Sequence, residues 1–402
     1  MPHAPRRQWT GLRAAALCAA AALAGGVAPG AMAQDAGQGS ASPLGIEAEY
    51  TTDIVAIARG QRSGVSRADY LGLAAALDLG AGLGWQGGRL YAQAIAATGG
   101  RPNDRAGTLQ GINNIEVAEN RLRLFQLWLE QDLPQGLGSL RLGLSDLNAE
   151  FYANDAAGLL IAPAFGIGSE LAATGPNGPA IFPSTAPMAR LRLEREGLGH
   201  VQAALVSAAA GVPGDRGGIG RLFGKGALAI VEAGWTGMDK GKLTFGAWAY
   251  TRRQDDIRLR TPAGDPARRR ARGVYLLGEA PLAPRTIGFV RIGLSDGHTT
   301  PYAGGWQAGL LAGPALAARP DSQVSLGLNQ AFVSRGYRAS AAEAGEPMGR
   351  RESAIELTYA DRIAPWLTVQ PDVQYVRTAA RGPQARDAVI LTLRLQAALS
   401  RP

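Results

Sequence analysis

The chain has one cysteine and three histidines. Cys18 lies in an alanine-rich N-terminal stretch, so the body of the protein carries no thiol. That excludes a disulfide framework, a thiolate metal site and a cysteine nucleophile. His200 and His298 are the histidines beyond that stretch, too few for a histidine-rich metal site. Carboxylates could suit calcium, but no metal centre and no other cofactor is predicted. Charge is also scarce, at 18% of residues, and the net +8 is spread along the chain. It forms no tail of the kind that binds nucleic acid. Hydrophobic residues reach 46%, yet few runs approach the roughly 20 apolar residues a membrane-spanning helix needs. A bilayer satisfies no backbone polar group, so a membrane protein without such helices has to be a closed barrel.

What the chain does have is glycine, 55 residues of it, and alternation. The N-terminus reads as a secretory signal over residues 1–33. Arg6, Arg7 and Arg13 make it basic, an apolar stretch runs from Ala14 to Ala24, and Ala31-Met32-Ala33 is a small-x-small cleavage site. Gln34 is the expected first residue after cleavage. Residues 34–45 are small and polar, a flexible leader. No linker divides residues 46–402, which form one domain.

Within that domain, short segments of period two recur to the C-terminus. Val389, Leu391, Leu393 and Leu395 alternate with Ile390, Thr392, Arg394 and Gln396. Ile355-Leu357-Tyr359, Val324-Leu326-Leu328 and Leu140-Leu142-Leu144 follow the same rule. A lipid-facing side and a wet interior produce this pattern; a soluble sandwich also alternates. The segments are 46–58, 70–79, 88–97, 121–132, 138–145, 188–196, 200–209, 226–236, 242–252, 273–280, 286–295, 304–312, 322–332, 353–361, 367–376 and 387–396. Their number is even. Their connections are short after even-numbered segments and mostly longer after odd ones. Short periplasmic turns and long outer loops are what an outer-membrane barrel shows. The expected fold is therefore all-β, a transmembrane antiparallel barrel of about sixteen strands.

Six blocks resemble the OprB-type carbohydrate-selective porin family. They are NDRAGTLQGINNIE (103–116), RLFQLWLEQ (123–131), GSLRLGLSDLNAEF (138–151), AFGIGSE (164–170), GPNGPAIFP (175–183) and ESAIELTYADRIAPWLTVQPDVQYV (352–376). The resemblance implies a sixteen-stranded barrel in the bacterial outer membrane that lets small sugars diffuse through. It leaves the subunit number open between monomer and trimer.

A porin needs no catalyst, only a constricted lumen whose side chains match the solute. Alternation points Arg141, Arg192, Glu194, Arg291, Glu356, Asp372, Gln374 and Arg394 inward as pore-lining candidates; solvation of the wall or mutual pairing is the plainer reading of each. The longest connection, 146–187, is rich in apolar and aromatic residues. It is expected to fold into the barrel and narrow it, with Phe151, Tyr152, Phe165, Asn177 and Phe182 as its marked positions. Trp128, Trp235, Trp248, Tyr250, Tyr275, Tyr359, Trp366 and Tyr375 suit aromatic girdles at the membrane interfaces. Arg268-Arg269-Arg270-Ala271-Arg272, with Arg252 and Arg253, makes one outer loop basic. That run is either solvated, or touches outer-leaflet lipid phosphates or attracts anionic solutes.

Two other classes compete with the porin. Gly293-Leu294-Ser295-Asp296-Gly297 fits the G-x-S-x-G elbow of hydrolases, with His298 beside it, but the elbow requires a helix after the strand. A structural or adhesive barrel is the third reading, since long loops would face outward.

Overall fold

A computed structural model describes residues 42–211, 221–237, 241–383 and 385–401. The signal segment and the leader up to residue 41 lie outside the described residues. Sixteen antiparallel strands close into a barrel. They are β1 (Leu44–Arg59), β2 (Gly64–Asp78), β3 (Gly88–Gly99), β4 (Arg121–Asp132), β5 (Gly138–Ser145), β6 (Ala186–Arg195), β7 (Gly199–Ser207) and β8 (Ala227–Thr236). The second half has β9 (Lys242–Tyr250), β10 (Arg272–Ala283), β11 (Thr286–Ser295), β12 (Tyr302–Ala312), β13 (Ser322–Val333), β14 (Arg351–Ala364), β15 (Leu367–Arg377) and β16 (Ala388–Arg401). Each strand pairs with its sequence neighbours, and β1 pairs with β16 to seal the wall. The barrel wall therefore has no edge strand.

The alternation decides which way each strand faces. Along β16, Leu391 and Leu393 are exposed on the outer surface, while Ile390, Thr392, Arg394 and Gln396 are buried inside. Along β15, Val373 and Tyr375 face out and Gln370, Asp372 and Gln374 face in. An apolar outer wall with a polar interior is the reverse of a soluble protein and suits a lipid exterior.

Three differences from the sequence reading have local causes. Strand β2 starts at Gly64, earlier than the expected 70, because its polar outward pair Arg67 and Asp69 resembles a loop. Both continue the ladder, opposite Ile54 and Thr52. Leu44 and Gly45 belong to β1 and not to the leader, pairing with Leu77 and Ala76. The basic loop 251–271 carries its own two-stranded hairpin, Gln254–Arg260 against Pro266–Arg269. There Arg268 pairs with Asp255 at 2.6 Å and Arg269 with Asp256 at 3.5 Å. Two of its arginines are thus already neutralised.

Candidate functional site

The connection from β5 to β6, residues 146–185, turns into the barrel. It carries two 3-10 turns, Asp155–Ala157 and Pro163–Phe165, and a helical turn, Ser169–Ala172. Irregular backbone inside a barrel needs partners for its N–H and C=O groups, and inward side chains of the wall supply them. Glu232 accepts from Tyr152 N at 2.8 Å, Glu279 from Ala156 N at 2.7 Å, and Glu356 from Ala162 N at 3.0 Å and from Ile161 N. In return Gln202 donates to Glu150 O (2.6 Å), Lys242 to Ala153 O (3.0 Å) and Gln370 to Leu159 O (2.7 Å). The Arg291 guanidinium donates to Ala164 O at 2.7 Å and Gly166 O at 3.0 Å, and also to Gln307. This segment is strapped across the wall from β7 to β15.

Its aromatic side chains turn toward that wall. Phe151, Tyr152 and Phe165 are fully buried. Tyr152 stacks on Tyr275 with ring centres 3.8 Å apart, and Phe165 meets Phe289 edge-on. Wall glycines make the room. A Cβ at Gly327 would lie 2.5 Å from the Phe165 ring, and one at Gly293 would lie 1.7 Å from Glu170 Oε1. Phe182 packs against Phe125 and Tyr70. Asn177 sits elsewhere: it is exposed, in the left-handed conformation at φ 66°, and donates to Ala210 O in the next outer loop. Asp155, Gly158 and Gly166 are the exposed positions of the segment's inner stretch, so its polar backbone and small residues meet the solvent.

A second segment, 100–120 between β3 and β4, also folds inward, which alternation and composition did not indicate. Glu352 accepts from Leu109 N and Gln110 N, both at 2.9 Å. Gln374 donates to Ile112 O at 3.0 Å, and the Tyr302 hydroxyl to Leu109 O at 2.7 Å. Asn113 donates to Asp53 at 2.6 Å. Arg394 grips Asp53 with two bonds, 2.8 and 2.7 Å, and donates to Asn114 at 2.6 Å. The two segments join each other: Asn114 N donates to Ile161 O at 3.0 Å, and Ser169 Oγ to Gln110 at 2.8 Å. They form one inner layer over the far half of the wall.

On the near wall the charges form a closed set. Glu130 receives Arg89, Arg141 and Arg190, each at 2.6 Å. Glu150, at the root of the long segment, takes Arg141 and, at 3.0 Å, Arg190. Arg89 also holds Asp132 at 2.6 Å. Three guanidinium groups thus meet three carboxylates. Arg141 lies 3.7 Å over the Trp128 ring, which stacks on Tyr91. Inward side chains that keep solvent contact include Glu47, Glu49, Tyr70, Arg89 and Arg192.

Of the expected pore residues, Arg141, Arg291, Glu356, Asp372, Gln374 and Arg394 are buried inside the barrel. Arg291, Glu356 and Gln374 spend their polar atoms on the infolded backbone, so they hold the inner layer. Asp372 accepts from Gln374 at 3.1 Å. Arg192 and Glu194 lie at the periplasmic end of β6 and pair with each other at 2.9 Å. Arg89, Glu130, Arg190, Asp53 and Glu352 were not singled out from sequence. Arg190 has the same parity as Arg192, so alternation alone could have found it. Ser295 Oγ donates to Tyr302 O at 2.7 Å, and β11 leads through residues 296–301 into β12 with no helix. The elbow context is absent, and Gly293 is accounted for by the room it leaves Glu170.

None of the curated proteins compared with the chain matches it. Among solved structures, the high-pH structure of Pseudomonas putida OprB is 19% identical, with a TM-score of 0.77 over 92% of this chain and 97% of that one. The low-pH structure of the same protein is 16% identical, with a TM-score of 0.57 over 89% and 93%. The outer-membrane channel DcaP of Acinetobacter baumannii is 10% identical, with a TM-score of 0.56 over 89% and 97%. These likenesses agree with the barrel fold. A family model described as "Carbohydrate-selective porin, OprB family" matches residues 62–399. The closed barrel, its polar interior and this match together make the chain a member of the OprB carbohydrate-selective porin family, an outer-membrane channel for small solutes.

Proposed function

We propose that the channel passes small uncharged carbohydrates by facilitated diffusion, without catalysis or an energy source. The observation that carries this reading is the pairing of inward arginines with carboxylates. Arg89, Arg141 and Arg190 are matched by Glu130, Glu150 and Asp132, and Arg394 by Asp53. A lumen of paired arginines, of further inward carboxylates such as Glu47 and Glu49, and of loop backbone offers many hydrogen-bonding partners to hydroxyl groups. Purified barrel in liposomes should swell them in monosaccharide solutions faster than in tetrasaccharide solutions. Absence of swelling from a barrel shown intact by heat-modified gel mobility would count against a sugar channel. Ser295→Ala should leave permeation unchanged, as expected of a protein that is a channel and not a hydrolase. Residues 1–33 are proposed to be removed on export, which N-terminal sequencing of the membrane form at Gln34 would test.

A further inference from the structure

The outer rim of the wall carries three arginines that the channel does not use. Arg59 stands opposite Val389, Arg377 opposite Ser353 and Arg351 opposite Phe332. Val389, Tyr375 and Phe332 are outward residues, so all three arginines share the lipid-facing side. They end β1, begin β14 and end β15, within one stretch of the closed sheet. All three are exposed, and among the described residues none has a side-chain hydrogen bond or ion pair. The rim carboxylate Asp387 accepts from the Tyr375 hydroxyl at 2.8 Å and Thr378 N at 3.2 Å, and forms no ion pair among the described residues. Below the arginines the outward wall is apolar: Ile355, Leu357, Val373, Leu391 and Leu393 are exposed.

The opposite, periplasmic end of the same sheet is built differently. There Arg319 pairs with Asp361 at 2.7 Å and Arg362 with Asp321 at 3.0 Å. Those two arginines are neutralised, whereas Arg59, Arg351 and Arg377 have no ion pair among the described residues. Unpaired guanidinium groups directly above a hydrocarbon-facing wall, beside interfacial aromatics, are suited to a phosphate that itself sits at the top of an acyl chain. We propose that Arg59, Arg351 and Arg377 form a binding site for the phosphate groups of a phosphorylated glycolipid of the outer leaflet. Tyr375 and Phe332 lie against the first part of its acyl chains. This site is separate from the basic 251–271 loop, whose Arg268 and Arg269 are held by acids of the same hairpin.

The test uses the full barrel in zwitterionic detergent, titrated with bisphosphorylated lipid A, with the same lipid stripped of phosphate, and with inorganic phosphate. Bound lipid is counted by native mass spectrometry, and the thermal unfolding midpoint is followed. Wild-type protein should bind the bisphosphorylated lipid and gain midpoint, with little gain from the stripped lipid or the free ion. Each arginine changed to glutamine should weaken binding roughly fivefold, and Arg59→Gln/Arg351→Gln/Arg377→Gln together on the order of a hundredfold. Arg268→Gln/Arg269→Gln should bind as wild type. Equal binding of the phosphate-free lipid by wild type would overturn the site whatever the variants do. So would an equal gain from inorganic phosphate, or unchanged affinity in a folded triple variant.

Discussion

Arg291 concentrates the logic of the inner layer in one side chain. It is fully buried, and its donors reach loop carbonyls 125 and 127 residues away in sequence. Hydrogen bonds to a charged group contribute about 1.5–3 kcal/mol each, and carbonyls left unpaired add their own desolvation cost. Arg291→Ala should therefore lower unfolding stability by on the order of 3 kcal/mol, followed by tryptophan fluorescence in denaturant. It should also raise single-channel conductance and its noise; a variant with wild-type conductance would mean the segment is held some other way. Glu116 predicts a pH effect in the second segment. Burial pushes its carboxyl up to about 7 from an ordinary 4.5, against the pull of the hydrogen bond from Asn103 N. Since the folded value is the higher one, the favourable protonated form is fully present below about 4.5 and is lost as pH rises through about 7. Amide exchange in residues 103–117 should quicken over that range, and Glu116→Gln should flatten the response.

Among the elements, strands were far more legible in sequence than the inner layer. The reading of 121–132, 138–145 and 286–295 coincides with β4, β5 and β11, because period two needs only local information. The entry of residues 146–185 into the barrel was legible too, from its length and apolar content. The direction of its aromatics was not, because Phe165 and Tyr152 turn to the wall by virtue of space over Gly327 and beside Gly293, far away in sequence. The 100–120 segment gave no sign at all: its anchors, Glu352, Gln374 and Arg394, lie near the other end of the chain. Replacing residues 147–184 by a short Gly/Ser turn should leave a heat-modifiable barrel with several-fold higher conductance. It should also admit larger oligosaccharides in the swelling assay. Unchanged size selection would shift the constriction to the 100–120 segment, which Glu352→Ala would then release.

For the whole molecule, the pairing of inner charges makes ion selectivity a sensitive gauge. With the arginines paired and the inward Glu47 and Glu49 left over, the reversal potential under a salt gradient should show only a mild preference for cations. Removing one negative partner breaks the balance, so Glu130→Gln should shift permeation several-fold toward anions; a cation shift or none would show that these arginines do not face the permeating path. The inner layer also has a consequence for descent. Wall residues grip it mainly by its peptide groups, which every amino acid but proline supplies alike. Substitutions in the layer can therefore alter what passes without releasing it, while changing a gripping wall residue leaves peptide groups of the layer unpaired. Such an arrangement leaves the inner surface open to reshaping for a different solute while the wall that carries it stays the same.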